Sequence, residues 1–294
     1  MIKSFVNYLK YEKRYSPNTV ISYQNDIHQF YKYILDKYSI ESIEKVTHFM
    51  IRSWLVFMMQ EGMSAKSINR KFSALRTYFI FLKRQGIIKI NPAKKVIPPK
   101  ISKRLPKVIQ RDEIDKLLDE EVFAENFSGY RDKMIISLLY NTGMRRIELI
   151  NLNDGSFDFI NKTVKVLGKG NKERIVPLTT SVVEELERYI ELRNDTFDKR
   201  EFEYTLLTDK GRKLYPRFVY DVVKRNLSKV SLVQKRSPHV LRHSIATHLA
   251  DEEVDLNAIK AMLGHANLSA TQIYTHNSVE KLRKAYMKAH PKAK

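Results

Sequence analysis

Cysteine is absent from the 294-residue chain, which excludes disulfide bonds, thiolate metal sites and cysteine nucleophiles. The absence fits a reducing compartment. No apolar run reaches the length of about 18 residues that a membrane-spanning helix needs. The start, Met1-Ile2-Lys3-Ser4-Phe5, offers no apolar stretch of the kind a secretory signal carries. A soluble cytoplasmic protein with no membrane partner is the expectation. Acid is also in short supply: 33 Asp+Glu face 53 Lys+Arg, a net charge of +20. That excess points to a polyanion, most simply nucleic acid, although charge speaks to association and solubility rather than to fold.

What is present suffices for two ordinary domains. Residues 1–90 read as four helices. Ile2, Phe5, Val6 and Leu9 set a short apolar stripe. Ser16 precedes Pro17, a cap followed by proline at the first helical position, and Val20, Tyr23, Ile27, Phe30, Ile34 and Leu35 then recur at helical spacing. Thr47 can cap a segment carrying Phe49, Trp54, Leu55 and Met58. Ser64 can cap another with Ile68, Phe72, Leu75, Phe79 and Leu82, which stops at Gly86. Lys66, Arg70 and Arg76 lie off that last stripe. A basic face suits a phosphate backbone, although taken alone an ordinary solvated face is the commoner case.

Residues 91–107 change character. They hold Pro92, Pro98, Pro99 and Pro106 with Lys94, Lys95, Lys100, Lys103, Arg104 and Lys107, and no acid. Repeated proline argues for an extended linker, and its charge argues that the linker lies along DNA. Residues 108–294 resume a mainly helical pattern, with one β signal. Thr163–Leu167 alternates, Gly168-Lys169-Gly170-Asn171 turns, and Arg174–Leu178 returns, as in a hairpin.

Five short segments carry candidate chemistry. In Thr142-Gly143-Met144-Arg145-Arg146-Ile147-Glu148-Leu149 a glycine turn leads to a helix start bearing two arginines. Such an end donates N–H groups and positive potential to an anion. Glu148 stands three residues after Arg145 and can hold its guanidinium; alone, this is an ordinary i,i+3 salt bridge. Gly168-Lys169-Gly170-Asn171-Lys172-Glu173-Arg174 places a lysine on a hairpin tip, where a plain basic turn is the common case. In Ser237-Pro238-His239-Val240-Leu241-Arg242-His243, His239 and Arg242 share a helix face. His239 and His243 have metal-pair spacing, but no HExxH pattern or nearby carboxylate cluster supports zinc. Met262-Leu263-Gly264-His265 ends a helix that starts near Asp255. Thr271-Gln272-Ile273-Tyr274-Thr275-His276 contains one tyrosine among 16.

Together the segments supply Arg145, Lys169, His239, Arg242, His265 and Tyr274. Metal-free cleavage of a phosphodiester needs a nucleophile, charge stabilisation at phosphorus and a proton for the leaving oxygen. Arginines offer forked donors to nonbridging oxygens, and histidines exchange protons near neutral pH. The set is complete without a cofactor, and no carboxylate trio for two metals is visible.

TGMRRIEL, VLGKGNKERIVPL, SPHVLRHSIATHL and MLGHANLSATQIYTH resemble the arginine, lysine, HxxR and histidine–tyrosine boxes of the tyrosine recombinases (phage integrase family), specifically the bacterial Xer type. YSPNTVISYQNDIHQF resembles the start of that family's helical DNA-binding domain. The resemblance covers almost the whole chain. It implies a mainly α fold: an N-terminal four-helix SAM-like core-binding domain, and a catalytic domain, mostly helical, with a small antiparallel sheet. It implies a site-specific recombinase that forms a 3′-phosphotyrosine at Tyr274 and exchanges strands through a Holliday junction, in chromosome dimer resolution or, alternatively, in integration of a mobile element. Further candidate DNA contacts are Lys66, Arg70, Arg76, Lys94, Lys95, Lys103, Arg104, Arg146, Lys172 and Arg174. Implied partners are a double-stranded recombination site, identical or paralogous protomers in a tetramer on two sites, and a DNA translocase of the division machinery, in the nucleoid of a bacterial cytoplasm. The terminal helix read over 278–288 would pack into a neighbouring subunit. Arg146 stands where the family usually has an apolar residue, and Asn153-Asp154-Gly155-Ser156 departs from its usual Asp-rich stretch. A type IB topoisomerase, a noncatalytic DNA-binding regulator and a metal nuclease are the competing classes.

Overall fold

The computed structural model describes residues 1–101, 108–118, 122–168, 171–197, 202–231 and 236–264. The chain divides into two compact units, Met1–Arg104 and Leu105–Lys294.

The first unit is helical. Helix α1 (Ile2–Asn7) runs into a π-helical segment, Tyr8–Glu12. Helices α2 (Pro17–Tyr38), α3 (His48–Gln60) and α4 (Ala65–Arg84) follow. Ser16 and Ser64 cap α2 and α4, each hydroxyl accepting an N–H of the first turn at 3.3 Å, which satisfies an otherwise orphaned donor. Thr47 occupies the N-cap of α3 without a side-chain hydrogen bond. Phe5, Leu9, Ile27, Phe30, Trp54, Leu55, Leu75 and Phe79 form the core. Phe49 and Leu35, expected on the buried stripes, are exposed; on α3 Ile51 takes the inward position instead.

The same unit buries a charge that the apolar pattern did not reveal. Asp26 sits on α2 between Arg70, which ion-pairs with it, and Lys71, whose Nζ lies 2.9 Å from Oδ1. Lys71 also donates to Gln29. Burying a carboxylate is tolerable only when it is paired and hydrogen-bonded.

Residues 91–101 depart from the extended linker that their prolines suggest. Pro92–Lys95 forms a 3₁₀ turn, started by the Asn91 side chain accepting from Ala93 N at 2.9 Å. Ala93 and Val96 are buried in the first core, and Asn69 Nδ2 donates to Pro99 O at 2.8 Å. Proline sets φ for a turn as readily as it prevents a helix, and two small apolar residues here gain a core by folding back. Lys94 and Lys95 remain exposed; Lys103 and Arg104 lie outside the described residues.

The second unit is built around α6 (Phe127–Thr142), buried on nearly all sides. Helices α5 (Arg111–Leu117), α7 (Arg146–Ile150), α8 (Thr180–Phe197), α9 (Pro216–Val230), α10 (Pro238–Asp251) and α11 (Leu256–Leu263) complete its described helical part. One three-stranded antiparallel sheet has the order β1–β2–β3, with β1 at Phe157–Asp158, β2 at Thr163–Leu167 and β3 at Glu173–Pro177. The hairpin pairs Leu167 with Glu173 and Val166 with Arg174. Strand β1, two residues long, is too short to leave an alternation in the sequence. No described helix is long and apolar enough to cross a membrane.

Candidate active site

Helix α6 ends at Gly143, which has φ +58°, a left-handed cap conformation that glycine reaches without a Cβ penalty. A Cβ there would stand 2.5 Å from Leu263 Cδ2, at the end of α11. The turn delivers Arg145 to the start of α7. Glu148, in the first turn of that helix, accepts from Arg145 N at 2.8 Å and from Arg145 Nη1 at 2.8 Å. Arg145 Nη2 reaches Gly264 O at 3.3 Å. Its side chain stays 39% exposed, so the guanidinium is oriented from within while still open to a ligand.

Helix α10 brings the second arginine from the far side. Arg242, one turn into the helix, is buried. Its forked donors go to two backbone carbonyls, Gly143 O and Leu263 O, the latter at 2.5 Å. Arg145 and Arg242 therefore attach to adjacent carbonyls, Gly264 and Leu263, on the turn that immediately precedes His265. Burial, then the charge of Arg145, pushes the Arg242 pKa down to about 10, with Glu148 opposing; it stays charged at neutral pH.

His239 lies in the first turn of the same helix and keeps part of its surface exposed. Burial of the remainder, followed by the positive charges of Arg146, Arg242 and Arg145, lowers its pKa from the usual histidine value. The neutral imidazole, able to accept a proton, is the form this environment favours. Burial works to raise the Glu148 pKa, yet hydrogen bonds from Arg174 and Arg145 more than offset it and hold the carboxyl below the usual range.

The hairpin contributes a residue whose position differs from the expectation. Arg174, read as a surface DNA contact, is buried at 6% exposure. Its Nη2 donates to Glu148 Oε2 at 2.7 Å and its Nε to Met262 O at 2.8 Å. The period of β3 accounts for this: Arg174 and Val176 share the inward face, as alternate residues of a strand must. Arg70 is likewise engaged with Asp26, because a buried carboxylate draws the nearest guanidinium. Arg146 Nη1 donates to Pro216 O at 2.9 Å. Lys66, Arg76 and Lys172 are exposed. Lys169, His265 and Tyr274 lie outside the described residues, as does the helix read over 278–288. Among the described residues no three His, Asp or Glu side chains gather as a metal-ligand set.

The phage integrase family profile matches residues 107–281, and the profile of the phage integrase N-terminal SAM-like domain matches residues 2–86. The chain is 37% identical over 294 residues to tyrosine recombinase XerD of Staphylococcus aureus, covering 100% of this chain and 99% of that protein. The chain belongs to the phage integrase family. It is a site-specific tyrosine recombinase of the Xer type.

Similarity to tyrosine recombinase XerC of Oceanobacillus iheyensis is equal at 37% identity, over 99% of this recombinase and 96% of the relative. Among solved structures, XerH bound to palindromic difH substrate aligns with TM-score 0.73 and 23% identity, over 97% of this chain and 82% of that one. The Tn1549 transposon integrase in complex with transposon right-end DNA aligns with TM-score 0.75 and 19% identity, over 96% and 97%. These likenesses place the recombinase fold on the described architecture: a SAM-like helical domain followed by a mainly helical catalytic domain with a small antiparallel sheet. Sequence reasoning missed the inward Arg174 and the buried Asp26–Lys71 pair. The first had a signal in the alternation of Arg174 with Val176; the second had none in the apolar pattern.

Proposed function

We propose that the recombinase cleaves one strand of its DNA site by attack of Tyr274 Oη on the scissile phosphorus. The phosphorus–5′-oxygen bond breaks, leaving a 3′-phosphotyrosine and a free 5′-hydroxyl. Arg145 and Arg242 hold the nonbridging oxygens as charge builds, with His265 beside them. His239 accepts or shares the tyrosine proton, and Lys169 protonates the departing 5′-oxygen. The ester conserves the bond energy, so a 5′-hydroxyl from the partner duplex reverses the step without ATP.

The observation that supports this most is the meeting of Arg145 and Arg242 at the Leu263–Gly264 carbonyls. Residues 97 positions apart in sequence, by the difference 242 − 145, converge on the turn that leads into His265. Two forked cations at one point suit a tetrahedral phosphate with two nonbridging oxygens. A noncatalytic DNA-binding protein has no need of that convergence.

At the level of assembly, the reading is four protomers, identical or paralogous, on two double-stranded sites. The SAM-like unit and the catalytic unit each contact DNA, and strands exchange in pairs through a Holliday junction. The XerC and XerD names of the relatives favour chromosome dimer resolution, in the nucleoid, with a DNA translocase of the division machinery as a further partner. The test uses two copies of the site that the protein itself selects from a randomised DNA pool. Strand exchange in EDTA without ATP is expected. Cleavage without rejoining that EDTA abolishes would indicate a metal nuclease, and supercoil relaxation without site preference would indicate a topoisomerase.

A further inference from the structure

The buried guanidinium of Arg174 occupies a junction that the six predicted catalytic residues do not explain. It touches three segments at once. Glu148, its partner at 2.7 Å, also holds Arg145 through two hydrogen bonds. Met262, whose carbonyl accepts from Arg174 Nε at 2.8 Å, lies at the end of α11. Gly264, with φ +66°, packs so closely that a Cβ would stand 3.2 Å from Arg174 Nη1. At the base of the hairpin tip, a Cβ on Gly168 would lie 3.5 Å from both Arg174 Nη1 and Glu148 Oε1. Gly168 immediately precedes Lys169, and Gly264 immediately precedes His265.

We propose that Arg174 is a positioning residue for strand cleavage: it fixes the backbone at Gly168 and Gly264, the residues that precede Lys169 and His265 in the chain, and, through Glu148, the side chain of Arg145. It does not contact DNA. The proposal rests on the recombinase reading of those residues. Its physical basis is the planarity of the guanidinium. One rigid fork serves a carboxylate and a carbonyl on different segments, so hairpin, α7 and α11 end share one reference point. A buried ion pair is a poor source of stability compared with apolar packing of similar volume. Its effect here is geometric, and reacting groups displaced by about 1 Å can lose on the order of 10²-fold in rate. Lysine keeps the charge but presents a single Nζ, which cannot reproduce the fork.

The experiment compares the full-length wild type with Arg174→Lys and Arg174→Met. The probe is a nicked duplex carrying the site that the wild type selects from a randomised pool. Covalent adduct is followed at saturating protein, and affinity is measured separately across a salt series. Both variants are expected to cleave slower at saturation by on the order of 10²-fold, Arg174→Met more than Arg174→Lys, with affinity and salt slope unchanged. If Arg174→Met does not fold, the charge-conserving Arg174→Lys carries the test alone. A saturating rate for Arg174→Lys within about threefold of wild type overturns the proposal. So does a defect confined to affinity with a salt slope flatter by about 0.9, the signature of one lost phosphate contact. A wild type that forms no adduct removes the recombinase reading itself, and the proposal with it. Arg174 variants that match an active wild type refute only the positioning role.

Discussion

His239 is surrounded by arginine charge from Arg146, Arg242 and Arg145. Arg146 donates to Pro216 O at 2.9 Å and, after burial, is the foremost cause that lowers the His239 pKa. A lowered histidine pKa keeps the ring neutral to a more acidic pH than usual. Arg146→Leu should therefore raise the His239 pKa in the free protein. The check is an NMR titration, with the His239 resonance among the eight histidines assigned from its loss in His239→Gln. An unmoved midpoint would show that Arg146 does not tune this ring. Asp26 makes a second residue-scale case. Removing its carboxylate by Asp26→Ala strands the buried Lys71 ammonium, which should cost about 3–5 kcal/mol. Removing the half-exposed partner by Arg70→Ala should cost less than about 1 kcal/mol. Trp54, the single tryptophan, is buried in that core, so its fluorescence in urea reads the unfolding of this unit. Equal costs for the two substitutions would contradict the assigned roles.

At the scale of elements, the ends of helices matter more than their middles. Gly143 ends α6, supplies a carbonyl to Arg242, and leaves no room for a methyl group beside Leu263. Gly143→Ala should lower stability by about 1–3 kcal/mol from the left-handed backbone alone, with the Leu263 clash added. Gly62→Ala meets nothing within 4 Å and should show only the backbone cost. Calorimetric melting of both variants tests this, and equal losses would mean that the close approach at Gly143 is not felt. These ends were also the legible part of the sequence. Ser16-Pro17, Ser64, Gly143 and Gly264 mark boundaries through local backbone chemistry, and the structure places caps at each. The β2–β3 hairpin was legible for a similar reason, since alternation and a glycine turn are local signals. Arg174 was misread because a basic composition suggested the surface while the strand period pointed inward. The turn at Pro92–Lys95 was misread because prolines stop helices but do not say whether Ala93 and Val96 will find a core.

Across the whole molecule, the charge of +20 should dominate DNA affinity. Log affinity should fall linearly with log salt, each neutralised phosphate contributing roughly −0.9 to the slope on duplex DNA. Lys94 and Lys95 stay exposed on the segment that folds back onto the first unit. Replacing them together with Lys103 and Arg104 by alanine should flatten that slope. A slope that does not change would reduce residues 91–107 to a structural connection. Of the residues that the motifs single out, Arg145 and Arg242 come together in the fold, at the Leu263 and Gly264 carbonyls, while Lys169, His265 and Tyr274 lie outside the described residues. What brings Arg145 to Arg242 was not legible, because it depends on carbonyls at Gly143, Leu263 and Gly264 that have no side-chain signature.

The proposed mechanism depends on a covalent bond between Tyr274 and DNA. The direct measurement traps the full-length protein on a nicked duplex carrying its selected site, digests the adduct and maps the modified peptide by mass spectrometry. One nucleotide-bearing residue, Tyr274, with a 3′-phosphate linkage is the expected result. Tyr274→Phe should form no adduct while still binding the same duplex. An adduct that persists in Tyr274→Phe, or that maps to Tyr286 or any other residue, would contradict the mechanism.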